Sequence, residues 1–168
     1  MSVRVRLRGV AELQRALAAM GDRAAAGAAA ALFAEGERVM MMSKQEAPVG
    51  VDGVLRASGH VEVPKREGSR LTVRLGYGGA AKSYANVIHE GRKPGSRPPP
   101  SQALVPWVKK KLFVPEAEAA SVAFVVARSI GKKGTKPTKF LERPFMAAVP
   151  GMAGRMAERI RRSLERRG

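Results

Sequence analysis

The residue types that could carry chemistry are few in this sequence and do not converge. His60 and His89 are its two histidines, and neither has a second metal ligand at a useful spacing. Glu90 adjoins His89, but adjacent residues on a helix point apart and do not bind one ion together. Ser58 and Ser83 have no base partner that would activate them. The sequence therefore predicts no catalytic residue, no cofactor and no metal site, and we expect that the protein is not an enzyme.

Glycine and lysine clusters could instead contact phosphate. Gly76-Tyr77-Gly78-Gly79 lacks the lysine and the following helix of a phosphate-binding loop, and we interpret it as a turn. Lys109–Lys111 and Lys132–Lys139 carry enough charge to bind phosphate, but they are not interleaved with aromatic residues for base stacking. We therefore expect no sequence-specific recognition of nucleic acid, and a passing contact with backbone phosphate stays open.

The charge of the chain is high and unevenly distributed. The formal net charge is +17. Residues 1–84 carry 13 basic and 8 acidic side chains, net +5, whereas residues 85–168 carry 18 and 6, net +12. The basic half would meet an acidic partner, either nucleic acid or an acidic protein surface. An arginine-rich face exposed only to solvent explains the charge equally well, because charge alone confers no specificity.

Length and composition indicate a single globular domain, residues 1–168. A chain of 168 residues buries about 70% of its unfolded surface, so it needs no covalent cross-links. The absence of cysteine excludes disulfides, thiolate zinc sites and cysteine nucleophiles, and it is compatible with folding in a reducing cytosol. No apolar run approaches the length of a membrane span, and the alternating segment Met1–Val10 is not a signal peptide. We therefore expect no membrane partner.

A long alanine-rich segment, Asp22–Glu46, is predicted to be the helix around which the fold is organised. Its residues are strong helix formers, and Pro48 ends it. The residues predicted to be buried recur four and three positions apart: Ala25, Ala29, Leu32, Gly36 and Val39, widened by Phe33 and Met40. The charged residues predicted to lie outside this stripe are Glu35, Glu37, Arg38 and Lys44. Because the buried face is lined by small side chains, we expect a β-sheet to pack closely against it.

Three segments with alternating apolar residues supply the strands of that sheet, namely Val3–Leu7, His60–Val63 and Leu71–Leu75. The last two are joined through a turn at Gly68-Ser69 and form a β-hairpin. Ala11–Met20 is predicted to be a short helix. The fold class is therefore predicted to be α+β, with a small antiparallel sheet packed against one long helix and additional helices toward the C-terminus.

The second half of the chain is predicted to alternate helices with basic loops. Residues 92–139 are interpreted as an insertion in the domain, and its loops Arg92–Ser101 and Gly131–Lys139 are expected to be the most mobile parts of the monomer. Between them we expect one helix over Ser101–Leu112 and another that begins after Pro115. The valines expected to be buried on the latter helix are Val122, Val125 and Val126.

Two further helices are predicted, Ser83–Glu90, which Gly91 ends, and Gly151–Arg167. The apolar stripe of the last helix consists of Met152, Met156, Ile160 and Leu164. Its arginines are expected to face solvent, an acidic partner or DNA. We therefore expect that removal of Arg155–Gly168 leaves the core folded and impairs assembly.

Three short motifs occur in a fixed order along the chain. The first combines Ala47-Pro48-Val49 with Asp52–Ser58, the second is Tyr84–Gly91, and the third combines Gly134–Pro137 with Phe140–Phe145. In this order they resemble Ala-Pro-Val-Asp-Thr-Gly-x-Leu-Arg-x-Ser, Tyr-Ala-x-x-x-Glu-x-Gly and Lys-Pro-Phe-Leu-x-Pro-Ala. Together they resemble a family of small tailed-bacteriophage proteins, the tail-completion or head–tail joining (neck) proteins of long-tailed phages, also called minor tail proteins.

The resemblance covers roughly residues 10–150 and includes departures from the family pattern. Gly50 and Val51 stand before Asp52, and Arg92 stands where the family has threonine. The segment Trp107–Lys111 is similar to an insertion found in a subset of the family.

The resemblance implies a virion structural protein at the phage neck, without chemistry of its own. It implies a hexameric ring, made in the host cytoplasm and incorporated into the virion. Its partners would be further copies of itself, other neck and tail proteins and, in passing, the genomic DNA. The interface candidates are Leu55, Arg56, Tyr84, Glu90, Arg92, Lys109, Lys110, Lys132, Lys133, Lys136, Phe140, Arg143, Phe145, Arg155, Arg159 and Arg162.

The alternative function is nonspecific binding of nucleic acid through the basic C-terminal half. Its affinity would fall steeply with salt, since phosphate contacts release bound counterions. An enzyme comes third, because the sequence offers no nucleophile–base pair and no metal-ligand set.

Overall fold

A computed structural model gives the architecture of the chain, and it describes residues 2–3, 21–68 and 70–165. The fold class is α+β, as predicted. The helices are α1 (Gly21–Glu46), α2 (Val54–Ala57), α3 (Lys82–Glu90), α4 (Val105–Leu112), α5 (Glu116–Lys133), α6 (Glu142–Ala148) and α7 (Met152–Glu165), with 3-10 helices at Gly79–Ala81 and Ser101–Leu104. The strands are β1 (Ser2–Val3), β2 (Gly59–Val61), β3 (Lys65–Glu67), β4 (Arg70–Thr72) and β5 (Leu75–Tyr77). None of the described helices is long and apolar enough to cross a membrane.

These elements group into two compact units, each built from segments that are distant in sequence. The described residues of the first unit belong to Met1–Glu46, Gly59–Gly78 and Leu141–Gly168, and those of the second to Ala47–Ser58 and Gly79–Phe140. The second unit is larger than the insertion expected at residues 92–139, since it also contains α2 and α3. A single domain over residues 1–168 stays a prediction.

Helix α1 confirms the predicted central helix, and it begins one residue earlier than expected, at Gly21. The buried residues on it are Ala24, Gly27, Ala28, Ala31, Glu35, Gly36, Val39, Met40 and Ser43. The predicted burial is correct at Gly36, Val39 and Met40. The other predicted members of the stripe are only half-buried, namely Ala25, Ala29, Leu32 and Phe33. The N-terminal part of the stripe is rotated by about one residue because α7 also packs on this helix.

The strands β1, β5 and β2 form an antiparallel sheet in that order, which packs on α1. A Cβ atom at Gly36 of α1 would lie 3.0 Å from Cγ1 of both Val61 and Val73. The missing side chain thus lets the sheet approach the helix, as the small-sided face predicted. A hydrogen bond of 2.7 Å joins the buried hydroxyls of Ser43 and Tyr77. The register pairs Ser2 with Gly76, Val3 with Leu75, Gly59 with Tyr77, His60 with Gly76 and Val61 with Leu75.

The predicted strand boundaries are partly wrong. Val3 lies in β1, and residues 4–7 and the predicted helix Ala11–Met20 lie outside the described residues. The predicted strand Leu71–Leu75 is divided, because β4 pairs with β3 in a separate hairpin while Leu75 begins β5. Pro64 lies between β2 and β3, where its missing N–H interrupts the ladder. Gly76 and Tyr77, expected in a turn, belong to β5.

Helices α6 and α7 pack on α1 within the first unit. Met152, Met156 and Ile160 of α7 are buried, as the sequence predicted, and Leu164 is half-buried. The stripe therefore belongs to the core of this unit. That the chain from Arg155 onward is dispensable for folding stays a prediction, and the burial of this stripe against α1 argues against it.

Helices α4 and α5 run antiparallel in the second unit. At one end the Lys109 ammonium contacts the Glu116 carboxylate. At the other end Gly131 of α5 lies against the segment that precedes α4, where an added Cβ would be 2.7 Å from Cγ of Pro98. The predicted entries into both helices are confirmed, with Pro106 in the first turn of α4 and Pro115 immediately before α5.

The buried stripe of α5 consists of small residues, not of valines. Its members are four apart: Ala119, Ala123, Ala127 and Gly131. Val122 and Val126 are half-buried, and the prediction is wrong at Val125, which is 65% exposed. Close packing of two helices favours small side chains at the contact, so the alanines occupy it.

The two loops that were expected to be mobile pair with each other. Arg92 and Thr135 form an isolated antiparallel bridge through N···O distances of 3.1 and 3.0 Å. The N–H of Gly95 donates to the carbonyl of Gly131 at 2.9 Å. Residues 131–133 form the last turn of α5, so assigning them to a loop was wrong. That these two loops are the most mobile segments of the monomer stays a prediction, although backbone hydrogen bonds join them.

Candidate interaction surface

The second unit contains an open apolar groove with a volume of about 560 Å³. Its lining residues come from the loop before α2, from α3, and from the α4–α5 pair: Pro48, Val49, Gly50, Ile88, Leu104, Trp107, Lys111, Val126 and Ile130. Trp107 is the only tryptophan in the chain. A concave apolar surface with few polar groups is the usual form of a binding site.

Helical spacing produces the two long walls of this groove. Val126 and Ile130 are four apart on α5, and Leu104, Trp107 and Lys111 recur three and four apart along the 3-10 helix and α4. Since the alanines of α5 form its packing face, the larger side chains beside them are left to line the groove. The sequence alone does not bring Trp107 and Val126 together, because the groove joins segments that are distant in sequence.

The lysines at the end of α4 differ in their pairing. Lys109 contacts the Glu116 carboxylate, and Lys110 donates to the carbonyl of Val51 at 2.6 Å. Lys110 also lies 3.8 Å from the Asp52 carboxylate. Lys111, which lines the groove, forms no ion pair with any residue that the structure describes. Two of the three lysines are therefore already occupied within the unit.

The first group of interface candidates stabilises the loop that carries α2. Leu55 is buried, and Nε of Arg56 donates to the carbonyl of Ala47 at 2.6 Å. The sequence analysis left Arg56 available for a partner, and the structure corrects this. Burial raises the pKa of the half-buried Tyr84, with a smaller contribution from the negative charge of Asp52. None of these three residues lines the groove.

A second group surrounds the buried His89. Its Nδ1 lies 2.9 Å from Oε1 of Glu90, and its ring meets Phe140 edge-on at 5.2 Å. Lys139 donates to Oε2 of Glu90 at 2.7 Å. The hydrogen bond from Lys139, and then that from His89, holds the pKa of Glu90 below its usual value. Contrary to the expectation that these adjacent helical residues point apart, the side chains of His89 and Glu90 converge. Phe140 is a core residue, not an exposed interface residue.

The first unit contains a buried ion pair that the sequence analysis missed. Glu35 is 2% exposed and receives hydrogen bonds from Arg155, at 3.1 Å from Nε to each oxygen and 2.7 Å from Nη2 to Oε2. Arg155 also donates to the carbonyls of Ala148 and Pro150. The bonds to Glu35 raise the pKa of Arg155. The predictions of an outward-facing Glu35 and of an arginine available to partners are both wrong, because the two side chains satisfy each other.

Some of the remaining arginines of α7 form ion pairs with carboxylates, and one does not. Arg161 and Arg162 both donate to Glu158, and these bonds, with Arg161 first, lower the pKa of Glu158 to about 2. Arg159 is exposed and forms no ion pair with a described residue. Of the interface candidates on α7, Arg159 is therefore the one that forms no ion pair with a residue the structure describes.

The other candidates are mostly exposed. Arg143 lies 3.9 Å from a carboxylate oxygen of Glu46, and Phe145 is half-buried. Nη1 of Arg92 donates to the carbonyl of Arg97 at 2.8 Å. Three candidates, all in the second unit, are exposed and form no ion pair among the described residues: Lys132, Lys133 and Lys136.

Glu35 could have been found from spacing alone. It lies four residues from both Ala31 and Val39, which are buried on α1. A charged residue at that spacing predicts either an error in the assigned stripe or a buried partner.

No known protein family, no curated protein and no solved structure matches this chain. A functional assignment therefore depends on the residues, the groove and the charge distribution described above.

Proposed function

We propose that this chain is a structural protein of a tailed-phage particle. In this proposal it joins head to tail, or completes the tail, as a hexameric ring at the neck, without chemistry of its own. Its neighbours are further copies of itself and other neck and tail proteins, with transient contact to the genome. It is made in the host cytoplasm and is incorporated into the virion.

The observation that supports the proposal most directly is that two of the family-like motifs depend on each other in the fold. Gly91 ends the second motif with φ 74°, and Gly134 begins the third with φ 71°. A Cβ at Gly91 would overlap the carbonyl oxygen of Thr135 and lie 2.8 Å from the nitrogen of Pro137. A Cβ at Gly134 would likewise overlap the carbonyl oxygen of Arg92. Motif residues that require one another sterically are a more specific resemblance than independent short matches.

The test is the protein content of purified particles. We expect mass spectrometry of gradient-purified virions to detect this chain at a copy number far below that of the capsid protein, and imaging of the neck to place about six copies in a ring. The major capsid protein serves as the positive control and an abundant host cytosolic protein as the negative control. Particles that contain the capsid protein but lack this chain would show that the proposal is wrong.

The charge of the second unit favours one other candidate, nonspecific nucleic-acid binding. This unit carries 13 basic and 4 acidic side chains, net +9. In a binding assay with random-sequence duplex, the affinity should then fall by orders of magnitude between 50 and 200 mM salt. Charge reversal at Lys132, Lys133 and Lys136 should reduce both the affinity and its salt dependence. Weak binding that hardly changes with salt would reject this candidate.

A further inference from the structure

The groove of the second unit has apolar walls, one lining lysine, Lys111, and a second unpaired lysine, Lys133, one helical turn beyond its lining residue Ile130. Lys111 lies at the C-terminal end of α4, near the start of α5, because its neighbour Lys109 contacts Glu116 there. Lys133 lies at the opposite end of α5, three residues after Ile130 and seven after Val126, and therefore on the side of that helix that lines the groove. The 18 residues of α5 correspond to ~27 Å of helix.

The charge around this groove is not neutralised within the unit. Of its four carboxylates, three already contact lysines: Asp52 with Lys110, Glu90 with Lys139 and Glu116 with Lys109. Neither Lys111 nor Lys133 forms an ion pair with a residue that the structure describes. The groove thus presents a positive potential to whatever occupies it.

We propose that the groove binds an acidic amphipathic helix of a partner protein. Apolar side chains on one face of that helix would pack against Trp107, Val126 and Ile130, and carboxylates at its edges would meet Lys111 and Lys133. A third helix lying along an antiparallel pair is a common packing arrangement, and helix-in-groove recognition uses apolar residues at this spacing. Opposite charge speeds the encounter and fixes the register.

Charge and wall chemistry favour this occupant over the others. A second copy would bring a unit of net charge +9 to another of the same charge, which opposes association at the groove. Nucleic acid would match the charge, but aliphatic walls such as Ile88, Val126 and Ile130 offer bases little stacking surface. This inference is independent of the proposed role in a phage particle, because it concerns the groove alone.

The experiment uses Trp107 as the reporter, since it is the only tryptophan and it lines the groove. The probe is a synthetic 18-residue helix without tryptophan, with leucines at i, i+3, i+4 and i+7 and glutamates at the positions that flank the leucine face. The control peptide keeps the leucines and replaces every glutamate by lysine. We expect the acidic peptide to shift the Trp107 emission to shorter wavelength with a saturable, micromolar affinity, and the basic peptide to leave it unchanged.

Two pairs of variants locate the binding site. Val126→Asp should weaken binding by about tenfold or more, because an aspartate in the wall repels the probe and disrupts its apolar contact. Val125→Asp is the matched control on the exposed side of the same helix and should bind as the natural chain does. Lys111→Glu, at an exposed residue whose replacement spares the core, should also weaken binding, whereas Arg128→Glu, which lies off the groove, should not.

Each remaining outcome overturns the inference. An equal response to the acidic and basic peptides, or a response that Val126→Asp and Lys111→Glu both leave unchanged, would contradict it. A Trp107 shift that depends on protein concentration without peptide would assign the groove to a second copy. A response to a single-stranded oligonucleotide but not to the acidic peptide would assign it to nucleic acid.

Discussion

A single carboxylate, that of Glu35, connects α7 to α1 in the first unit through Arg155. Removing the carboxylate leaves the guanidinium with only its two backbone carbonyl acceptors, and it opens a small cavity in the helix interface. Because the Arg155 side chain is 32% exposed, we expect Glu35→Ala to lower Tm by roughly 5 °C, less than the loss of a fully buried pair would. Glu37→Ala, at an exposed position of the same helix, is the control and should change Tm little. Equal melting of both variants would show that the pair contributes nothing.

The sequence could place Glu35 on a helix but could not name its partner. Arg155 lies 120 positions away, and the α7 arginines look alike in the sequence. Arg155 lies one residue before the buried Met156, but Arg159 stands in the same relation to the buried Ile160, so position beside the apolar stripe does not single out the partner. Such pairing depends on how two helices cross, which helical periodicity alone does not specify.

Glu158 gives the exposed part of α7 a pH-dependent contribution. Its pKa of about 2 in the folded chain lies below the ordinary value of 4.5, because Arg161 and Arg162 donate to it. These bonds therefore stabilise the fold above pH 4.5, and their contribution is lost as the pH falls from 4.5 toward 2. We expect the side-chain carboxyl NMR signal to titrate with a midpoint near 2 in low salt. In an Arg161→Gln, Arg162→Gln double variant the midpoint should return toward 4.5, and an unchanged midpoint would exclude the arginines as its cause.

At the scale of elements, the bridge between Arg92 and Thr135 depends on the two glycines beside it. Gly134 has φ 71° and ψ −169°, a region that residues with a Cβ rarely adopt. We expect Gly134→Ala to destabilise the fold by about 2 kcal/mol or more, because strain and overlap with the Arg92 carbonyl add. Gly154→Ala is the matched control, since it lies in α7 with no atom within 4 Å of the added Cβ. Its stability should stay the same or rise slightly, and denaturant unfolding of the two variants measures the difference.

The ends of helices can be predicted where they depend on nearby residues such as proline and glycine. The buried face of a helix cannot be predicted where it depends on which other helix packs against it. The end of α1 before Pro48 and the end of α3 at Gly91 follow from backbone chemistry within a few residues. The predicted burial on α5 is wrong at Val125, because the close contact with α4 favours the small alanine side chains. The groove is not predicted for the same reason. Its walls consist of side chains that do not take part in the contact between α4 and α5.

For the whole molecule, the net charge of +17 means that added salt affects the two proposed functions in opposite directions: it favours self-association and weakens binding to nucleic acid. Copies of one strongly basic chain repel one another, and salt screens that repulsion. Binding to nucleic acid releases counterions, and salt weakens it. A ring protein and a nucleic-acid-binding protein with this same sequence should therefore respond to salt in opposite directions.

We expect sedimentation velocity of the purified chain to show a growing oligomer fraction as salt rises from 50 to 500 mM at constant protein concentration. The reason is that salt screens the repulsion between subunits but not their apolar contacts, since the Debye length falls from roughly 14 Å to about 4 Å over this range.

Charge reversal at the exposed and unpaired Arg159, Lys132 and Lys136 should shift the onset of oligomers to lower salt if these residues face solvent in the ring. If they lie in subunit contacts with carboxylates, the same variants should abolish the oligomer at every salt concentration. A chain that stays monomeric throughout, while duplex DNA binds tightly at 50 mM and is released at 500 mM, would decide for nucleic-acid binding and against self-assembly of the isolated chain.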